Sequence, residues 1–192
     1  MADVSHSARQ RILATATDLF SREGYRAVGT DTIIERAGIA KMTLYRHFSS
    51  KNELINAFIE ETIQQFWVWF ERAISEHPDS PRAQLVAIFE TLASIVADPD
   101  FHGCSCLQAA VEFPELEHPS HQLALQFKQR VHTRFREIGT QAGAQQPDLL
   151  ADQLLLLMNG ALMQGRMRVA SFSAQAVVQA ARALIEAQVG DG

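Results

Sequence analysis

The sequence predicts an all-α protein in two parts, a three-helix head followed by a helical body, about nine helices in all. Three observations carry this. Apolar residues recur at helical spacing nearly everywhere, and no stretch sustains the alternation of a strand. All six prolines lie between positions 78 and 147, where a missing backbone donor marks helix ends or first turns. The 192 residues are 47% hydrophobic and 20% charged, ordinary globular values that exclude disordered, collagenous and low-complexity chains.

The elements follow in order. Ser7 with Gln10 reads as a capping box, in which hydroxyl and amide satisfy two orphan helix-end donors. Ile12, Leu13, Ala16, Leu19 and Phe20 then share one face, and Gly24 is the expected left-handed stop. A short helix is predicted over 30–37, capped by Gly29 or Thr30, with Asp31 favourable against its N-terminal dipole. Gly38-Ile39-Ala40 is a turn, and a second short helix covers 41–47. Ser50 and Glu53 form another capping box at the start of a long helix to about residue 76. Further helices are expected at about 81–97, 104–112, 119–139, 148–168 and 173–188.

The 148–168 helix is apolar on more than one face, with Leu149, Leu150, the run 154–158, Leu162 and Met163. The last helix carries Ala174, Val177, Val178, Ala181, Leu184 and Ile185, small enough for close helix approach. Residues 148–188 are therefore expected to form a homodimer interface; the alternative is a core within one chain.

The head, placed at 7–52, is basic and the body, 53–192, is acidic. Residues 1–51 hold 8 Lys+Arg and 5 Asp+Glu, a balance of +3, which leaves -8 for the rest of a chain of net charge -5. That asymmetry suits a head that meets a polyanion, although +3 alone decides little. Two short helices joined by a glycine turn, behind a longer capped helix, make a helix-turn-helix over about 29–48. Ile33, Ile34, Ala37, Ile39, Leu44 and Phe48 can supply its core, so Lys41, Met42, Thr43, Tyr45, Arg46 and His47 point outward. Such a face suits double-stranded DNA, with cations for phosphate or guanine and hydroxyls and imidazole for phosphate oxygens.

At these residues the chain resembles the TetR (tetracycline-repressor) family of bacterial transcriptional regulators. The run GYRAVGTDTIIERAGIAKMTLYRHFSSKNEL resembles that family's DNA-binding head, with T-L-Y-x-H-F followed by S-K, and the segment from Arg9 to Tyr25 agrees in order and spacing. The strong match covers about 9–54. The resemblance implies that Thr43, Tyr45, His47 and Lys51 hold phosphates, that Lys41, Met42 and Arg46 approach bases, and that Thr30 opens the second helix against the backbone. Lys51 also has its own case: its ammonium follows the Ser50 cap beside a positive helix end, which costs stability that a phosphate would explain. Two positions depart from the family pattern. Ala40 stands where a capping Ser is common, and Asp31 where many relatives carry a basic or neutral residue. Asp31 can accept from cytosine N4 or be a simple helix-start carboxylate.

In the body, Ile55, Phe58, Ile59, Ile63, Phe66, Trp67, Trp69, Phe70 and Ile74 form one broad stripe, with four aromatics within five positions. A cavity lined by Phe66, Trp67 and Phe70 would take a small apolar or aromatic effector; the alternative is plain core. The resemblance supports an effector, since the family couples a body pocket to the spacing of two heads. Gln108 and Glu112 share a helix face, and Asn159 interrupts an apolar helix, so these are the candidate polar ligand contacts. Cys104 and Cys106, with His102, His118 and His121 nearby, raise a metal or redox reading, but residues two apart on a helix point away from each other. No metal or cofactor is expected. Lys128, Arg130, Arg134 and Arg136 form a basic patch, read as a solvated face.

No nucleophile with a positioned base appears, so the chain is not expected to be an enzyme. No apolar run exceeds five residues, 154–158 included, and the start lacks an apolar signal core, so no membrane span or secretory signal is expected and the setting is read as cytoplasmic. The expectation is a repressor released from a palindromic operator by a small ligand. The alternatives are an activator or ligand-independent regulator, or an enzyme in the body.

Overall fold

The computed structural model describes residues 7–168 and 172–190. These form nine α-helices and no strand: α1 (Ala8–Glu23), α2 (Thr30–Ala37), α3 (Lys41–His47), α4 (Lys51–Ser75), α5 (Pro81–Ala97), α6 (Ser105–Glu112), α7 (Pro119–Gln141), α8 (Pro147–Met167) and α9 (Ala174–Val189). Pro81, Pro119 and Pro147 each open a helix, where the missing N–H is an orphan in any case.

Local chemistry explains the boundaries. At α1 the capping box is closed in both directions: the Gln10 amide N–H donates to Ser7 Oγ at 3.3 Å and the Ser7 N–H to Gln10 Oε1 at 2.9 Å. Gly29, rather than Thr30, caps α2. Helix α2 ends in a Schellman motif, with Gly38 at φ 61° and its N–H donating to Glu35 O while the Ile39 N–H donates to Ile34 O. Helix α3 starts from Ala40 with no side-chain cap.

Two details differ from the sequence expectation. Gly24 has φ 94° and ψ 166°, so it is not in the left-handed helical region but in an extended positive-φ conformation that essentially only glycine adopts. At α4, Ser50 Oγ accepts from the Glu53 N–H, but the Glu53 carboxylate reaches back to the N–H and hydroxyl of Ser49, both at 2.6 Å, instead of to Ser50.

The chain divides into two compact units: 1–63 with 105–125, and 64–104 with 126–192. The expected head lies inside the first unit, which extends past residue 52 and also takes in α6 and the start of α7. Its core holds Ile12, Leu19, Phe20, Tyr25, Ile33, Leu44, Phe48 and Phe58. Phe20, Tyr25 and Phe58 form a triangle of rings with centroids 5.6 to 6.0 Å apart. In the second unit α5, α8 and α9 pack against one another and bury Leu85, Ile88, Phe89, Leu154, Met158, Val177, Ala181 and Ile185. No helix is long and apolar enough to cross a membrane among the described residues.

Candidate nucleic-acid interface

The first unit places all eight candidate DNA-contacting residues at the starts of helices or on α3. Thr30 and Lys51 are the first residues of α2 and α4, and both are half-buried. On α3, Lys41, Met42, Tyr45 and Arg46 are exposed, and Thr43 and His47 half-buried. Met42 is an apolar side chain 80% exposed on this face. The opposite side of α3 is anchored by Leu44, fully buried, and by the buried Phe48 at the C-cap.

The charges on this face are unevenly compensated. Lys41 Nζ lies 3.5 Å from Asp31 Oδ1, an exposed pair between α3 and the first turn of α2. Asp31 is thus both a helix-start carboxylate and a partner for Lys41. Arg46 makes no hydrogen bond or ion pair among the described residues. Burial pushes the Lys51 amine below its usual range, and the nearby Glu112 carboxylate partly restores it. The hydroxyl and N–H of Ser49 hold the Glu53 carboxyl below the usual carboxylate range. Arg9, on the first turn of α1, lays its guanidinium over the Phe48 ring at 5.0 Å, a contact that no local pattern signals.

The six candidate ligand residues fall in different units. Gln108 and Glu112 are in the first. Gln108 Nε2 donates to Phe20 O at 3.3 Å and to Glu112 Oε1 at 2.8 Å, and Glu112 accepts from the Tyr25 and Arg26 N–H groups at 3.0 and 2.7 Å. Phe66, Trp67, Phe70 and Asn159 are in the second unit. Phe66 packs edge-to-face on Trp69 and Phe127, with centroids 4.6 and 4.8 Å away, and is stacked with Phe70 at 5.4 Å. The surplus of aromatics is thus met largely by their own mutual packing, a favoured geometry for rings. Among the described residues the buried indole N–H of Trp67 has no hydrogen-bond acceptor. Asn159 Oδ1 accepts from Lys128 Nζ at 2.6 Å, which supplies the partner its position demands. Two open clefts of about 300 and 380 Å³ lie beside Arg168 and Arg136, and neither is lined by a candidate ligand residue.

The basic patch of α7 is tied down rather than free. Arg134 binds Glu71 through two nitrogens at 3.1 Å, Arg136 approaches Asp148 at 3.9 Å, and Arg130 lies 4.4 Å over the Trp67 ring. Cys104 and Cys106 form no disulfide. No cluster of three His, Cys, Asp or Glu side chains is placed to hold a metal among the described residues.

On α8 an apolar seam faces outward. Leu149, Leu156, Met163 and Met167 are exposed, Leu156 by 71%, at spacings of seven, seven and four that keep them on one side of the helix. On α9 Ala176, Ala183 and Ala187 repeat a similar spacing on exposed positions.

Comparison with known proteins gives a consistent picture. The model for bacterial regulatory proteins of the tetR family matches residues 12–58. A TetR-family transcriptional regulator from Streptomyces coelicolor superposes with a TM-score of 0.90 at 28% identity, over 95% of this chain and 96% of that one. A structure from Streptomyces avermitilis described as a TetR transcriptional regulator gives 0.83 at 31% identity, over 95% and 98%. The HTH-type transcriptional repressor DhaR of Mycobacterium sp. (strain GP1) is 27% identical over 164 residues, 81% of each chain.

Proposed function

The chain belongs to the TetR family of bacterial regulatory proteins and is a DNA-binding transcriptional regulator; from that premise we propose that it is a homodimeric repressor, released from a palindromic operator by a small apolar or aromatic ligand. In this reading residues 7–52 carry the DNA contacts and 53–192 the ligand and dimer contacts.

The observation that carries the DNA reading is the face of α3, where Lys41, Met42, Tyr45 and Arg46 stand exposed on a helix anchored from behind by Leu44. Lys41, Met42 and Arg46 approach bases, and Thr43, Tyr45, His47 and Lys51 hold phosphates, with Thr30 at the start of α2. The Arg46 guanidinium, engaged by no hydrogen bond or ion pair among the described residues, can present its fork to guanine O6 and N7. The half-buried cation of Lys51, in the first turn of α4, gains from a phosphate.

The dimer reading is supported by the seam of Leu149, Leu156, Met163 and Met167 on α8 and by the exposed alanines of α9, within the expected 148–188. Burial against a second copy is the fate such a seam asks for. The two heads would then meet half-sites about 34 Å apart, one helical turn of DNA.

The ligand reading is supported by the unsatisfied Trp67 N–H among Phe66 and Phe70, with Asn159 on α8 as a further contact. Gln108 and Glu112 are bonded to each other and to the main chain of residues 20–26 within the first unit, so the ligand reading rests on the residues of the second. The repressor reading follows DhaR, a repressor similar along most of its length.

The test is a duplex selected by the protein from a random pool. A palindromic consensus bound two chains per site, with binding lost when the half-sites are moved by half a turn, supports the reading. A non-repetitive consensus bound by one chain overturns it.

A further inference from the structure

The α1–α2 turn of the DNA-binding unit is held by a residue far away in sequence. Both oxygens of the Glu112 carboxylate, at the C-terminal end of α6, are used on main-chain donors: Oε1 accepts from the Tyr25 N–H at 3.0 Å and Oε2 from the Arg26 N–H at 2.7 Å. Gln108, one turn earlier, steadies the carboxylate at 2.8 Å with the same amide that reaches Phe20 O, at the last turn of α1. The fit is close: a Cβ added at Gly24 would lie 2.9 Å from Glu112 Oε1 and 3.2 Å from Gln108 Nε2. Around this knot the Tyr25 hydroxyl donates to Ser105 O at 2.9 Å, and the Tyr25 ring stacks on Phe113 at 5.7 Å. The Glu112 charge also faces Lys51 at the start of α4.

This arrangement sets a negative charge inside a unit whose task is to meet a polyanion, where it repels DNA. It therefore weakens the sequence-independent part of binding while it fixes the turn that joins α1 to α2. We propose that Glu112 is a positioning residue for DNA binding: it holds residues 24–26 and, through them, sets how α2 and α3 are presented to the base edges. Its contribution is to discrimination between sequences rather than to attraction. Phosphate attraction tolerates small shifts, whereas base readout needs a fixed register.

The experiment uses the full chain with two probes, a duplex selected from a random pool by the wild-type protein and a random-sequence duplex of equal length. Glu112→Gln keeps the size and one acceptor oxygen, and it removes the charge and the second acceptor. It should weaken binding to the selected duplex by about tenfold and leave random-duplex affinity equal or slightly higher at low salt. Gln108→Ala leaves both Glu112 bonds to the Tyr25 and Arg26 N–H groups in place and removes the brace and its bond to Phe20 O, so it should lose selected-duplex affinity in the same pattern by a smaller factor. It also serves if Glu112→Gln does not fold. Equal losses on both duplexes, no loss on the selected one, or a gain there would each overturn the proposal. A larger loss in Gln108→Ala than in a folded Glu112→Gln would overturn it as well.

Discussion

Each compact unit has its own apolar core, and they differ in the polar ties that accompany it. The first ties its turns with directional bonds: carboxylate and amide side chains on the main chain of residues 20–26, and Ser120 Oγ on Asn56 Oδ1 at 2.7 Å. The second adds to the packing of α5, α8 and α9 interlocked rings, ion pairs such as Arg134–Glu71, and fewer side-chain bonds to turns, such as Gln84 Nε2 to His77 O. A hydrogen bond has a length and an angle to satisfy, whereas apolar burial has neither. The first unit therefore specifies a geometry, which suits the display of Arg46 and Lys41. The second supplies buried area and keeps an apolar seam in reserve.

The largest expected effect lies in the second unit. Leu156→Asp puts a charge in the middle of the α8 seam and should give monomers at micromolar concentration by sedimentation. A variant that stays dimeric removes that seam from the interface. Next comes the first unit. Gly24→Ala combines positive φ with a contact at 2.9 Å and should cost about 1–3 kcal/mol or more in denaturant unfolding. A neutral result would mean that the turn is loosely held.

Lys51→Met is expected to act in opposite directions. Removing a cation from the first turn of α4 should stabilise the fold by about 0.3–1 kcal/mol, yet it should weaken DNA binding. If stability falls, Lys51 is a structural residue. The smallest effect concerns Glu53. Its folded pKa is depressed by Ser49, so its contribution is fully present above the ordinary carboxylate value and is lost as pH falls through the folded one. Glu53→Gln should flatten the acid limb of the melting curve slightly, and an unchanged limb would show that the Ser49 contacts are not formed in solution.

Most helix boundaries were legible because their causes are local. Ser7 with Gln10 and the Gly38 stop lie within a few residues of what they cap. What lay outside reach depends on residues distant in sequence. Tyr25 and Glu112 are 87 positions apart, so helix periodicity could place Gln108 and Glu112 on one face but not show what that face meets. The same limit applies to the aromatics of α4, whose spacing does not show that Phe127 packs against Phe66. The exposed face of α3 was legible because burying Leu44 and Phe48 leaves the other side chains nowhere else to go. The Lys41–Asp31 pair was not, since it joins two helices across a turn whose geometry only the structure gives.

If α3 reads sequence while the start of α4 holds phosphate, a salt-series titration of Arg46→Ala and Lys51→Ala on selected and random duplexes will separate the two roles. Arg46→Ala should lose about 1–3 kcal/mol per half-site on the selected duplex and far less on the random one. Lys51→Ala should weaken both alike and lower the salt slope by about 1 per subunit. If Arg46→Ala weakens both duplexes equally, or leaves both unchanged, α3 does not read bases through this residue and the claim fails.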